Sequence, residues 1–435
     1  MTAQSLVADP GAIEQIAAAI QSGKTDPVAV VEASLRRIAA VEKDVQGWSL
    51  LDRQRALADA QTLRREAQAG RIRSPLHGIP VAVKDVLDVA GLPTRAGSKT
   101  RAGIAPSTID AHVVTLLKAA GAVVLGKAHT TEFAYFDGPP PTRNPHNVAH
   151  TPGGSSAGPA AVVASGMVPL SLGTQTAGSV SRPAAYCGIA AFKPSTLAWS
   201  SSGLVPFAPS FDTIGVFAHR VRDAVAAARV LMPAFLRQSA DAPSAPTIGI
   251  VEDPITETAS AAVAGSIRAA AEALVAADVK VKRFKSPVPF AEISGWHKTI
   301  IEYEVARAHP YLEHNPDVNA GLREAVARGR VINDAAYLDA HAALGAARER
   351  FWLAAAEAKA LLFPAAPDVA PVGMTTGDPR FIVPFKALGG PIASIPVGTG
   401  TGGMPLGLML IGAPGTDAKI SFIAEQIAPV IELPR

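Results

Sequence analysis

Three short segments hold the residues best suited to chemistry. Gly78-Ile79-Pro80-Val81-Ala82-Val83-Lys84-Asp85 places a lysine at the end of an apolar run. Pro152-Gly153-Gly154-Ser155-Ser156-Ala157-Gly158 and Gly173-Thr174-Gln175-Thr176-Ala177-Gly178-Ser179 place serines among glycines. A serine hydroxyl is a poor nucleophile unless a neighbouring base takes its proton. Residues 144–181, 38 in all, contain no Asp, Glu, Lys or Arg, which leaves only the loop histidines His146 and His150 within that stretch. A lysine can serve as the base only when neutral, and burial away from water lowers a lysine pKa. Lys84 follows a run expected to lie in the interior, and strand alternation turns the adjacent Asp85 to the opposite face. A buried neutral amine near activated serines is equipment for acyl transfer.

One tempting motif misleads. Gly154-Ser155-Ser156-Ala157-Gly158 fits the G-x-S-x-G nucleophile elbow, with Ser156 as nucleophile, but that elbow needs a buried strand immediately before it. The preceding Asn147-Val148-Ala149-His150-Thr151-Pro152-Gly153 is no central strand. A phosphate-binding loop is weaker still, because no lysine follows at Walker spacing.

The elements that must position these residues alternate between strand and helix. Residues 10–69 read as helical, with Asp26 as a cap and Pro27 at the first position of a helix. Residues 78–84 read as a buried strand, 109–120 as a helix stopped by Gly121, and 122–125 as a strand. Residues 247–251, 259–277 and 279–284 form a strand–helix–strand unit after a Pro/Ser/Ala-rich connector, Ser239 to Pro246. Residues 296–362 are mostly helical, and a strand returns at Ala393–Val397. Such alternation predicts one large α/β domain over residues 1–435, although the chain is long enough for three average domains.

Composition narrows the function classes. Charged residues make up 18% and apolar residues 48%, and the net charge is +3, so neither disorder nor a nucleic-acid or membrane-surface partner is expected. The charge-free stretches 144–181 and 387–416 are broken by Gly, Pro, Ser and Thr and are not membrane spans. The basic run Arg53, Arg55, Arg64, Arg65, Arg71, Arg73 reads as a solvated helix face. The start of the chain lacks signal-peptide character. Cys187 is the only cysteine, so no intramolecular disulfide forms and a cytoplasmic location is the default. The ten histidines show no metal-ligand spacing, so no metal or other cofactor is expected.

Taken together, the three segments, with Arg182-Pro183-Ala184-Ala185-Tyr186-Cys187-Gly188, strongly resemble the amidase signature family. The interval of 24 residues from Ser155 to Ser179 matches its spacing. Thr142-Arg143-Asn144-Pro145, Lys193-Pro194, Phe211-Asp212-Thr213-Ile214-Gly215 and the Gly-rich tail Gly389 to Gly412 extend the likeness over nearly the whole chain. The resemblance implies an α/β/α sandwich around a mixed, mostly parallel sheet, with a signature core at about 75–215. It implies Ser179 as the acyl-forming nucleophile, Ser155 as a bridging serine after a cis peptide bond, and Lys84 as the terminal base. The backbone N–H groups of Thr176, Ala177, Gly178 and Ser179 would form an oxyanion hole. The implied activity is hydrolysis of a small-molecule amide, with ester cleavage as a side reaction and no cofactor; a homodimer is one option. The rivals are an ammonia-generating component of a glutamine-dependent amidotransferase complex and a non-catalytic binding protein of the same fold.

The pattern also departs from the family. Gln175 stands where Asp is common, Ala177 where Gly is, and Ser181 where Arg is, with Arg182 one place later. An acid and an arginine that would pair have both changed, which costs far less than orphaning one buried charge. Substrate-contact candidates are Tyr135, Phe136, Asp137, Gly153, Gly154, Ser156 and Gln175. Ser156 is also a candidate second partner of Lys84, and Trp296 and Tyr303 are candidates to close the pocket.

Overall fold

Strands with apolar residues at every position have to be covered on both faces. The computed structural model describes residues 5–232 and 246–432, and within them the strands form one mixed sheet of 11. They are β1 (Trp48–Leu51), β2 (Pro80–Lys84), β3 (Val123–Ala128), β4 (Leu170–Gln175), β5 (Ala190–Lys193), β6 (Thr213–Ala218), β7 (Ile248–Glu252), β8 (Val281–Lys285), β9 (Ala360–Pro364), β10 (Ile392–Thr399) and β11 (Pro405–Ile411). Their order is β1-β3-β2-β4-β6-β5-β10-β11-β9-β7-β8.

Strand alternation sorts the core into two clusters. Val81, Val83, Val124, Leu172, Phe192 and Val216 join one. Ala82, Val123, Leu125, Ala191 and Phe217 join the other, with residues of the helices Pro27–Val45, Arg53–Gln68 and Ala157–Ala164. Neighbouring residues of one strand therefore feed opposite faces, as a helix-covered α/β sheet requires.

The expected α/β class and mixed sheet are present, but the sheet is not mostly parallel. Among the described residues β2–β3, β2–β4, β7–β8 and β7–β9 are parallel, and the other six neighbouring pairs are antiparallel. The Gly-rich tail accounts for one of those antiparallel pairs. Thr401–Gly403 is too short a link for a crossover, so β10 and β11 return as a hairpin in the middle of the sheet. The region 10–69 holds helices Ile13–Gln21, Pro27–Val45 and Arg53–Gln68, together with a short strand its periodicity hides. Gln46 turns left-handed (φ 52°), ends the second helix and admits the four-residue edge strand β1. Asp26 caps that helix through the N–H groups of Val28 and Ala29, with Pro27 first in it. The unit 247–284 folds as β7, helix Ala261–Ala276 and β8, with the strands parallel. The connector Ser239 to Pro246 lies outside the described residues except for Pro246. Among the described residues no helix is long and apolar enough to cross a membrane.

Candidate active site

Parallel pairing decides where the site forms. β2 and β4 run side by side, with Val83 opposite Leu172, so Lys84 and Thr174 emerge at the same carboxyl edge. Ligands of α/β sheets bind outside such strand ends. The charge-free segment is the floor of this edge. Every residue from 151 to 195 is buried except Gly166.

Lys84 is fully buried, and its Nζ lies 2.7 Å from Ser155 Oγ and 2.7 Å from Thr174 Oγ1. Burial drives its pKa well below 10.5, and the carboxylate of Asp212 draws it partly back. Asp85 turns away, as strand alternation requires, and accepts from Lys127 Nζ at 2.8 Å. Thr174, which the sequence did not single out, is the second partner of Lys84. Ser156 is not. Its Oγ donates to Thr174 O (3.2 Å) and accepts from Thr174 N–H (3.3 Å), stitching the serine loop to β4 just past the residues that pair with β2.

The Gly154–Ser155 peptide bond is cis. Gly153 has φ 80°, and a Cβ on Gly154 would come within 2.7 Å of Thr376 Cγ2, so neither position admits a side chain without rearrangement. The Gly154 carbonyl accepts from Arg182 Nη2 at 2.6 Å.

β4 runs into a turn, 176–180, and then the helix Ser181–Tyr186. Gln175 Oε1 accepts from the N–H groups of Val180 (2.8 Å) and Ser181 (2.9 Å). Its Oε1 is thereby engaged at the helix start, while its buried Nε2 has no partner among the described residues. Gln175 lies on the face of β4 shared with Ser171, which packs against that side of the sheet, and there it caps the helix. The N–H groups of Ala177, Gly178 and Ser179 meet no acceptor among the described residues. Ser179 is 4% exposed.

Two side chains hold Thr176, the first residue of the turn. Asp212 Oδ1 accepts from its hydroxyl (2.6 Å), and the His297 ring lies 2.9 Å from its carbonyl oxygen. Burial raises the pKa of Asp212, opposed by donors from Thr176, Phe207 and Ala208. Burial pulls His297 down to about 3, so the ring is neutral and its N–H donates. An acid inside the apolar run Phe207–Ala218 was a readable signal. A histidine on helix Phe290–Ala308 was not, because nothing local says what it faces.

A cavity of about 420 Å³ opens beside Ala177. Tyr135, Phe136 and Phe207 wall one side, and Ala291, Ser294, His297, Lys298, Ile301 and Glu302 wall another. Tyr135 and Phe136 line this cavity, whereas Asp137 is exposed and outside the lining. Trp296 and Tyr303 do not close the cavity. Residues three and four apart share a helix face, and these two sit off the 291–294–298–302 face. Trp296 packs on the core, while Tyr303 stacks on Tyr337 at 3.9 Å and donates to Asp334. A larger groove of about 740 Å³, near Asp9 and Asp223, contains none of Lys84, Ser155 or Ser179. Among the described residues no cluster of His, Cys, Asp or Glu suits a metal ion.

Known proteins resemble this chain in sequence and in fold. The chain is 32% identical to a glutamyl-tRNA(Gln) amidotransferase subunit from Anaeromyxobacter sp. (strain K), over 90% of each protein. A Roseiflexus sp. (strain RS-1) protein of the same name is 44% identical over 49% of this chain and 44% of its own length. A solved amidase superposes with TM-score 0.88 at 31% identity, covering 97% of this chain and 100% of that one. The peptide amidase of Stenotrophomonas maltophilia gives 0.83 at 27%, covering 98% of each. The amidase family profile matches residues 29–420, and with this fold and these full-length relatives the chain belongs to the amidase signature family.

Proposed function

We propose that this protein is an amide hydrolase that works through an acyl-enzyme on Ser179. The observation that carries the reading is a buried lysine with depressed basicity, 2.7 Å from Ser155 Oγ, beside a turn with free N–H groups. Ser179 Oγ attacks the amide carbonyl carbon. Its proton passes to Ser155 Oγ as the Ser155 proton passes to the lone pair of Lys84 Nζ. The carbonyl oxygen becomes an oxyanion facing N–H groups of Thr176, Ala177, Gly178 and Ser179. On collapse the C–N bond breaks and the relay returns a proton to the departing nitrogen. Water then attacks the ester, gives its proton to the same relay and releases the carboxylate. The same steps would cleave an ester. Gly153 and Gly154 contribute close approach of the backbone. Cys187, buried and unpaired, suits a cytoplasmic location.

A fluorophosphonate probe tests the nucleophile directly. Peptide mapping should find the adduct on Ser179. An adduct only on another serine, or none on folded protein, overturns the assignment.

His297 has a positioning role in this reading. By donating to Thr176 O it fixes the Thr176–Ala177 peptide plane, whose N–H faces the oxyanion. His297→Phe should lower kcat by up to ~100-fold while KM changes much less, the mark of an interaction that strengthens in the transition state. Equal losses in kcat/KM through KM alone would reassign His297 to cavity shape.

The names of the relatives favour a second reading, a component of an amidotransferase that delivers ammonia to a partner. Co-purification with a partner chain, and ammonia release that depends on it, would select this reading over a lone hydrolase.

A further inference from the structure

Ser155 is tied through the backbone on both of its sides, and both ties lead to the aromatic wall of the cavity. On one side the Gly154 N–H donates to the Thr376 carbonyl (3.2 Å), and the Thr376 hydroxyl donates to the Phe136 carbonyl (2.6 Å). On the other side the Ser155 carbonyl accepts from the Thr131 N–H (3.3 Å), and the Thr131 hydroxyl donates to the Tyr135 carbonyl (2.6 Å). Tyr135 and Phe136 are adjacent in the chain, so these four bonds close a ring through Ser155. Both threonines are buried, where a hydrogen bond is stronger than at the surface. Between Thr131 and Tyr135 the chain passes through Phe133 (φ 48°) and Ala134 (φ 60°), two successive left-handed residues that are not glycine. Such backbone persists where its surroundings hold it, and it gathers at functional sites. The Thr376 arm is anchored as well. Residues 371–376 run beside 149–154, with the Gly373 N–H donating to Ala149 O (2.8 Å) and the Thr151 N–H to Pro371 O (3.1 Å). Lys84 bonds to Ser155 and Thr174, and to neither ring threonine.

We infer that Thr131 and Thr376 are positioning residues of the relay, whose hydroxyls close this ring and so hold Ser155 Oγ in place between Lys84 and Ser179. The inference rests on the amide-hydrolase reading for the relay, while the ring itself stands on hydrogen-bond geometry. Each hydroxyl joins backbone to side chain of a neighbouring segment and touches no reacting atom. Removing either one opens the ring and loosens Ser155, and a misplacement of about 1 Å can cost ~100-fold in rate. Binding should change much less, because neither threonine lines the cavity.

An alkyl fluorophosphonate tests this, because it reports on the relay without a known substrate. Its limiting rate of Ser179 labelling and its half-saturating concentration are measured separately. Thr376→Val and Thr131→Val should each lower the limiting rate by roughly 10- to 100-fold, while the half-saturating concentration changes less than about threefold. Thr376→Ser and Thr131→Ser, which keep the hydroxyl, should restore most of the rate. The double valine variant should be little worse than either single one, because one opening already breaks the ring. The pH at which labelling falls should not move, since Lys84 keeps its partners. If one valine variant fails to fold, the other tests the same ring. Folded valine variants that label at the full rate, a change in half-saturating concentration alone, or serine variants as slow as the valine ones overturn the inference and leave the hydrolase reading standing. Slow labelling of the valine variants, in a protein that hydrolyses no amide, keeps the positioning roles and overturns that reading. No labelling of Ser179 in the folded, unsubstituted protein overturns both.

Discussion

Ser179→Ala should abolish amide turnover, with a loss of roughly four to six orders of magnitude in kcat, while the fold survives. The size of the effect follows from the mechanism. Without Oγ no acyl-enzyme can form, and Lys84 and Ser155 have no proton to relay. The survival of the fold follows from the contacts, because Ser179 Oγ makes no hydrogen bond among the described residues. The turn is held instead by Gln175, Asp212 and His297. Unchanged thermal unfolding and full loss of turnover together are the expected result. Substantial turnover in the folded variant would move the nucleophile elsewhere.

Lys84→Met should cost at least about 10³-fold, and Lys84→Arg should be no better. The pair separates a base from a cation. Arginine stays protonated in proteins, so it could replace a structural charge but not a neutral amine. An active Lys84→Arg variant would sink the relay. The pH profile carries the same logic. Because burial holds the Lys84 pKa well below 10.5, kcat/KM should fall as pH drops through that depressed value and level off above it. The sign for stability agrees. Between the depressed folded value and the ordinary unfolded one, the unfolded chain binds more protons, so Lys84 makes the protein more stable as pH rises through that window. Lys193, drawn down to about 7 by burial, is a second buried lysine whose titration can shape the same profile. The acid limb in activity is therefore assigned to Lys84 only when the residual rate of Lys84→Met lacks it.

Much of this was legible in the residues because it is local. A run of Ile79, Pro80, Val81, Ala82 and Val83 can only be a buried strand, and its last residue is therefore a buried lysine. Alternation alone sends Asp85 away from Lys84. The absence of charge over residues 144–181 reads directly as an interior segment, since charges are seldom buried without partners. The spacing of Ser155 and Ser179 names the family. Glycines at 153, 154 and 178 mark where backbone comes close to backbone or to a side chain.

The tertiary structure decided everything that depends on which distant segments meet. Thr174 becomes the partner of Lys84 through the register of two strands 90 residues apart in the sequence. Thr176 is clamped by Asp212 and by His297, the latter 121 residues away. Which face of helix Phe290–Ala308 lines the cavity depends on how that helix docks, so His297 and Ile301 face it while Trp296 and Tyr303 do not. Gln175 could have met a substrate or a helix end, and the fold brings its Oε1 to the helix end. Arg182 looked like a displaced partner for a missing acid; the structure shows it buried, with Nη2 on the Gly154 carbonyl. Strand and burial follow from short-range pattern, but the partner of a buried polar group is set by long-range register and docking, which no local pattern encodes.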